Sequence, residues 1–343
     1  MQAYLERLDR GEDLSRREIC EVLDEVMHGR VPAEELGRML LALREKGESV
    51  EEVIGAAEAL RRHMTPLRSS RSLLIDTCGP RGDGSGTFNI SPAEANVVPA
   101  AAIVASAAGV PVAKHGNRAM SSRSGAADVL AELGVNIEAP VAVVERCLEE
   151  LGIGFCFAPL FHGAMKHVAP VRKQLGVPTI FNMLGPLCNP AGAQLQLVGV
   201  GRPELRPKLA SALRELGARR ALVVHGDDRL DEISLSAPTH VSLVEAHGIT
   251  EEEWRPEDFG IASAPRDSLL ADGPAASASI IREVLDGKAG PRRDIVLLNA
   301  AAALWLAGQA PDRPAAARRA AEAIDSGAAA RLLARLGEDS RAC

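Results

Sequence analysis

The stretch "LLIDTCGPRGDGSGTFNIS", Leu73–Ser91, runs from an apolar segment into a loop where Gly79, Gly82, Gly84 and Gly86 fall within eight positions. Glycine accepts positive φ and lets a backbone approach a ligand with no Cβ in the way. Successive N–H groups in such a turn can point at one anion. The stretch reads as a strand feeding a phosphate cradle, with a plain surface turn as the competing reading. Two familiar cradles are excluded. No Gly-Lys-Ser/Thr ending of a Walker loop is present, and Thr87 stands where the dinucleotide fingerprint needs its third glycine.

The residues around this loop decide between the two readings. From residue 70 onward strand and helix patterns alternate, with strand candidates at Leu73–Asp76, Pro111–Lys114, Ile153–Ala158, Leu195–Gly201, Ala221–His225 and Val241–Glu245. Helical patterns between them include Ser124–Leu133, Pro203–Leu216 and Asp294–Leu306. Such alternation predicts an α/β fold with a mostly parallel central sheet. In these sheets ligands bind outside the carboxyl ends of the strands. The glycine loop, "KHGNR" (Lys114–Arg118) and "HGDDRLDE" (His225–Glu232) each follow a predicted strand, so three polar loops converge on one edge.

Residues 1–65 follow a different pattern, helix after helix. Ser15-Arg-Arg-Glu18 and Ser49-Val-Glu-Glu52 are capping boxes, each followed by apolar residues at helical spacing. Gly29 and Pro32 separate two helices, Gly47 ends the next, and Pro66 closes the bundle. Its expected role is packing and oligomer contact.

Composition sets the outer bounds. Hydrophobic residues make up 46% of the 343-residue chain and charged residues 25%, as in an ordinary soluble globular protein. Aromatics are only 3%, so ligand contacts must come mainly from backbone and small side chains. A net charge of −7 argues against nucleic acid as the main partner, because phosphate backbones demand basic stripes. The charged N-terminal stretch lacks the apolar core of a signal peptide, and runs such as Ala100–Val110 are too short to span a bilayer. Six scattered cysteines without C-x-x-C spacing give little support to zinc or a disulfide framework. A cytoplasmic protein with no membrane partner is expected.

Three groups of residues carry candidate chemistry. Asp231 and Glu232 are adjacent carboxylates in a loop, just after Asp227 and Asp228. Hard oxygens there suit Mg²⁺ shared with a substrate phosphate, against the alternative of a solvated acidic turn. Lys114, His115, Gly116, Asn117 and Arg118 bring cations, an amide and an imidazole to one strand end, and "AMSSRSGAAD" continues with hydroxyls before a helix. Arg172, in a helical pattern that Pro170 should kink, is a candidate carboxylate clamp or else a solvated cation. His162 and His167 lack the spacing of a helical zinc pair and read as structural or solvent-facing.

Taken together, "GDGSGTFNIS", "KHGNRAMSSRSGAADVL", "AMKHVAPVRKQLG", "TIFNMLGPLCNPAG" and "LDEIS" resemble the anthranilate phosphoribosyltransferases over most of the chain and in the same order. The resemblance implies a helical domain over 1–68, with a helical contribution from about 160–185, and an α/β domain over 69–343. It implies a homodimer formed through the helical domain. It places the phosphoribosyl pyrophosphate contacts on Gly79, Gly82, Asp83, Thr87, Asn89, Ile90, Ser91, Pro92, Lys114, His115, Gly116, Asn117, Arg118, Ala119, Met120, Ser121, Ser122 and Ala126. Anthranilate contacts fall on Gly79, Asn117 and Arg172. Mg²⁺, as two ions, falls on Ser91, Asp231 and Glu232. The implied reaction moves a phosphoribosyl group onto anthranilate by positioning and charge stabilisation, with no catalytic base.

The chain also departs from the family pattern. Gly79-Pro80-Arg81-Gly82-Asp83 stands where the family usually reads Gly-Thr-Gly-Gly-Asp, Pro92 replaces a threonine, and Ala126 an often-found serine. The segment from Pro92 to Ala113 is longer than usual. Two alternatives therefore stay open. One is a same-fold transferase or nucleoside phosphorylase with another acceptor, against which Asn117 and Arg172 count. The other is a ligand-binding paralogue with little turnover, for which Pro80 and Pro92 are the evidence.

Overall fold

The computed structural model describes residues 1–79, 97–118 and 125–342. Four N-terminal helices, α1 (Gln2–Asp9), α2 (Arg16–Met27), α3 (Ala33–Lys46) and α4 (Val50–Arg62), form a bundle. Both capping boxes are present. The Glu18 N–H donates to the Ser15 hydroxyl and the Ser15 N–H donates back to Glu18, and Ser49 and Glu52 repeat the exchange. Each such cap is worth about 1 kcal/mol. Glu52 does more than cap: fully buried, it also accepts from the Leu14 N–H at 2.9 Å and the Lys46 ammonium at 2.8 Å, tying three helices' ends together.

The second unit alternates as its sequence pattern predicts. In chain order it comprises β1 (Ile75–Cys78), α5 (Val97–Ala107), β2 (Val112–Gly116), α6 (Ala126–Glu132), α7 (Val141–Leu151), β3 (Ile153–Phe157), α8 (Ala158–Phe161), α9 (Ala169–Leu175), α10 (Phe181–Leu184), β4 (Leu195–Gly199), α11 (Leu205–Glu215) and β5 (Arg220–Gly226). Then follow β6 (Thr239–Glu245), β7 (Gly248–Trp254), α12 (Gly273–Leu285), α13 (Pro291–Leu306), α14 (Arg313–Asp325) and α15 (Ala328–Asp339). The strands form one sheet ordered β3-β2-β1-β4-β5-β6-β7, parallel from β3 through β5 and antiparallel across β5-β6 and β6-β7.

The sheet divides two hydrophobic cores. Along β5, Leu222 and Val224 face one core with α5 and α13, while Ala221 and Val223 face the other with α11 and the N-terminal bundle. Strands buried on both faces have to be apolar throughout, which is why they read as continuous runs. The second core also takes in Val168, Val171, Ile180, Phe181 and Leu184. The segment around α9 and α10 therefore packs with the bundle.

Three local expectations are corrected. The first strand occupies Ile75–Cys78 rather than Leu73–Asp76, because its ladder with β4 pairs Thr77 with Leu197 and Cys78 with Val198. Pro170 does not kink a helix. The chain makes a tight turn over Gly163–His167, and Pro170 sits in the first turn of α9, where its missing N–H costs nothing. The strand β7 was not foreseen, since "GITEEEW" presents a run of glutamates rather than an apolar pattern.

Candidate active site

Because β1, β2, β4 and β5 run parallel, their carboxyl ends lie along one edge of the sheet. Three backbones are pressed together there. A Cβ on Gly79 would lie 2.3 Å from the Gly199 carbonyl oxygen, and a Cβ on Gly199 would lie 1.5 Å from the carbonyl oxygen of Asp231. The start of the glycine loop, the end of β4 and the acidic loop after β5 thus stack in main-chain contact. A cavity opens beside them, lined by Thr77, Cys78, Gly199, Asp231, Glu232 and Asn299 among others. Asn299 of α13 fixes the acidic loop in place. Its carbonyl oxygen accepts from the Ile233 N–H at 3.0 Å and its amide donates to the Ile233 carbonyl at 3.1 Å.

The four carboxylates after β5 separate into two pairs. Asp228 accepts from the hydroxyls of Ser234 and Ser236 and from the Leu230 N–H, and Asp227 meets His240 at 2.8 Å. These two shape the loop, with Arg229 between them at φ +65°. Asp231 and Glu232 instead line the cavity, and Glu232 is 6% exposed. Asp231 and Glu232 thus bring two adjacent carboxylates to one cavity, the kind of hard-oxygen pair that suits a small divalent cation. Among the described residues no cluster of three or more His, Cys, Asp or Glu could hold a metal. An ion here would take its remaining ligands from water or from a bound substrate, the usual habit of Mg²⁺.

At the end of β2 the polar residues are tied into the fold. Lys114 is buried and donates to the Thr77 carbonyl of β1 at 2.6 Å. Asp76, fully buried, accepts from the His115 N–H at 3.0 Å and the Asn189 amide at 2.7 Å. Burial raises its pKa, and the Lys114 ammonium works against that rise. Asn189 also donates to the Ala113 carbonyl at 2.8 Å, so it bridges β1 and β2. Beyond the strand, Asn117 and Arg118 are exposed. Arg118 pairs with Asp128 at 3.4 Å and Glu138 at 3.2 Å, and Asp128 caps the start of α6 by accepting from the Gly125 N–H. Gly116 faces Phe155, and the Ala126 methyl lies beside it.

The imidazole of His115 meets a partner that spacing alone did not reveal. Its Nδ1 lies 3.1 Å from the Gly185 carbonyl and its Nε2 lies 3.1 Å from Nε2 of His162. The geometry requires one tautomer chain: His115 donates from Nδ1 to Gly185 and accepts at Nε2 from His162. Burial lowers both pKa values, His115 to about 4 and His162 to about 3, so both rings are neutral at pH 7. His167, by contrast, is exposed.

Arg172, on α9, is half-buried. It donates to the Asn182 carbonyl oxygen at 3.0 Å, and its guanidinium carbon lies 5.9 Å from the centre of the Phe181 ring. Its Nε is buried without a hydrogen-bond partner. Burial lowers its pKa. Asn182 and Gly185 belong to one short segment, which therefore connects the arginine to the end of β2 through His115.

Of the remaining sequence-predicted residues, Gly82, Asp83, Thr87, Asn89, Ile90, Ser91, Pro92, Ala119, Met120, Ser121 and Ser122 lie outside the described residues. Those inside fall into three groups: Gly79 with Asp231 and Glu232, Lys114 to Arg118 with Ala126, and Arg172 near Asn182.

Comparison with known proteins gives a consistent set of relatives. Residues 2–64 match a glycosyl transferase family helical bundle domain, and residues 71–330 match a glycosyl transferase family a/b domain. An anthranilate phosphoribosyltransferase from Syntrophobacter fumaroxidans is 48% identical over 96% of both chains. The crystal structure of the anthranilate phosphoribosyltransferase of Thermus thermophilus superposes with a TM-score of 0.90 at 43% identity, covering 98% of this chain and 99% of that one. The Saccharomyces cerevisiae enzyme in complex with phosphoribosyl pyrophosphate and Mg superposes at 0.88 with 28% identity, covering 99% and 97% of the two chains.

Proposed function

The chain belongs to the anthranilate phosphoribosyltransferase family, and from that premise we propose how its own cleft divides the work of the reaction. The transfer joins the amino nitrogen of anthranilate to C1 of phosphoribosyl pyrophosphate. The C1–oxygen bond to pyrophosphate breaks, the amine loses a proton, and N-(5-phosphoribosyl)anthranilate leaves as the second step of tryptophan biosynthesis from chorismate. An aromatic amine is already a neutral nucleophile, so the protein needs no strong base. Its contribution is positioning and stabilisation of charge.

The donor binds at the sheet edge, on Gly79 and Lys114–Arg118, together with Gly82, Asp83, Thr87, Asn89, Ile90, Ser91, Pro92, Ala119–Ser122 and Ala126. Asp231 and Glu232, with Ser91, would hold two Mg²⁺ ions. Bound there, Mg²⁺ offsets the charge that builds on the departing pyrophosphate. Anthranilate binds with its carboxylate toward Arg172, against Gly79 and Asn117. The seating of the Asp231 main chain on Gly199, one strand from Gly79, with Asp231 and Glu232 lining the same cavity, is the observation that carries this reading.

The remaining parts of the proposal concern assembly and compartment. The bundle's outer surface serves a homodimer, and the protein works in the cytoplasm. In support of the latter, the six cysteines are scattered without C-x-x-C spacing, a pattern that gives little support to a disulfide framework. No helix among the described residues is long and apolar enough to cross a membrane.

A fluorescence assay of anthranilate consumption with phosphoribosyl pyrophosphate and Mg²⁺ tests the proposal. The double variant Asp231→Asn with Glu232→Gln should abolish Mg²⁺-dependent turnover and leave the circular dichroism spectrum unchanged. Unaltered activity and an unaltered Mg²⁺ titration would remove these two residues from the site.

A further inference from the structure

We propose that Asn182 and Thr179 are positioning residues that turn Arg172 into a carboxylate-selective acceptor site, an inference that rests on the reading of Arg172 given above. The Asn182 carbonyl oxygen accepts two hydrogen bonds, from the terminal nitrogen of Arg172 at 3.0 Å and from the Thr179 N–H at 3.0 Å. It therefore holds the guanidinium against one fixed point of the backbone. An amide oxygen is the right group for this task. It orients the cation without neutralising it, whereas a carboxylate at 182 would close an ion pair and leave no net charge for a ligand.

Two polar atoms around this centre are left unmatched. Arg172 Nε and Thr179 Oγ1 are both buried with no hydrogen-bond partner, and Thr179 is only 3% exposed. Orphaned buried donors are uncommon in native proteins because each costs desolvation energy with no return. Two of them flanking the same asparagine describe a site whose missing component is an acceptor. The guanidinium Nε–H and the threonine hydroxyl can both donate, so the oxygens of an anion are the partners that suit them. The Phe181 ring, its centre 5.9 Å from the guanidinium carbon, helps to hold the cation in place. A carboxylate is the ligand class these features fit.

The Asn182→Asp substitution tests this with almost no change of shape. Binding of anthranilate is followed by its own fluorescence, with 2-aminobenzamide as the neutral isostere and phosphoribosyl pyrophosphate with Mg²⁺ titrated separately by calorimetry. Asn182→Asp should weaken anthranilate binding at least about tenfold, the scale of a lost charge-assisted bond, and change 2-aminobenzamide and donor binding by less than about threefold. Thr179→Val should weaken anthranilate by about three- to tenfold with the same selectivity, which keeps the proposal testable should the aspartate variant fail to fold. Unchanged anthranilate binding, or equal weakening of all three ligands, would overturn the assignment, the second outcome marking a purely structural role. A wild-type chain that binds anthranilate with this selectivity but does not transfer to it would overturn the proposed reaction and leave the clamp standing. A wild-type chain that prefers the amide would remove the clamp even if turnover is found.

Discussion

A β-carbon on Gly199 would lie 1.5 Å from the carbonyl oxygen of Asp231, so the acidic loop crosses the end of β4 directly on its main chain. Any side chain at 199 must push that loop away, because a backbone carbonyl cannot swing aside as a flexible side chain would. Gly199→Ala should therefore damage the proposed cation site without touching a ligand. The expected outcome is a loss of Mg²⁺-dependent turnover of about a hundredfold and a stability loss of about 1–3 kcal/mol from overpacking. Gly201→Ala is the control, since a Cβ there meets nothing within 4 Å. Equal activities of the two variants would show that the loop tolerates displacement.

The neutral pair His115–His162 makes stability depend on pH. Burial holds their folded pKa values at about 4 and about 3, below the ordinary histidine value of 6.5. Between those limits the unfolded chain binds more protons than the folded one, so stability rises with pH there and is lost as pH falls from about 6.5 toward 4. The loss is on the order of 3 kcal/mol for each ring. Asp76, whose pKa is raised by burial, works in the opposite sense and is the same in both proteins compared. His162→Gln keeps an N–H donor for His115 but cannot be protonated. Melting curves across this range should show a shallower acid limb for the variant, and parallel limbs would refute the assignment.

Asn189 donates to the buried Asp76 carboxylate and to the Ala113 carbonyl, and its own oxygen accepts from the Ala191 N–H at 2.9 Å. Asn189→Asp would set a second carboxylate against Asp76 in the interior and remove two donors at once. The expected cost is about 2–4 kcal/mol of stability at neutral pH, shrinking as acid protonates one of the pair. Chemical denaturation at two pH values measures both parts.

Pro80 and Arg81 stand in the glycine loop where the family usually has threonine and glycine. A proline has no N–H to donate to the proposed cradle, while Arg81 adds a positive charge. The double substitution Pro80→Thr with Arg81→Gly should tighten donor binding by about ten- to a hundredfold, the scale of one recovered N–H to a charged oxygen. Calorimetry with phosphoribosyl pyrophosphate and Mg²⁺ decides it. Weaker binding would show that Arg81 serves the cradle in place of the lost donor.

What the sequence by itself determined is local. Capping boxes at Ser15 and Ser49 specify helix starts, because their hydrogen bonds close within four residues. Apolar runs specify the inner strands, because both faces of a parallel strand must be dry. The motif order specifies the family. The run of glutamates in β7 hid a strand, since an edge strand with a solvated surface needs no apolar alternation.

Relations across the chain were settled only by tertiary structure. Nothing local distinguishes Asp228, which bonds within its own loop, and Asp227, which pairs with His240 of β6, from Asp231 and Glu232, which line the cavity. The difference is made by Gly199 and Asn299, dozens of residues away on other elements. His162 looked like any histidine until the fold placed its Nε2 against that of His115, 47 positions earlier in the chain. Arg172 read equally well as a surface cation. Its burial beside Asn182 with Nε unmatched is a property of packing, and spacing in one dimension cannot encode the desolvation that gives the charge its use.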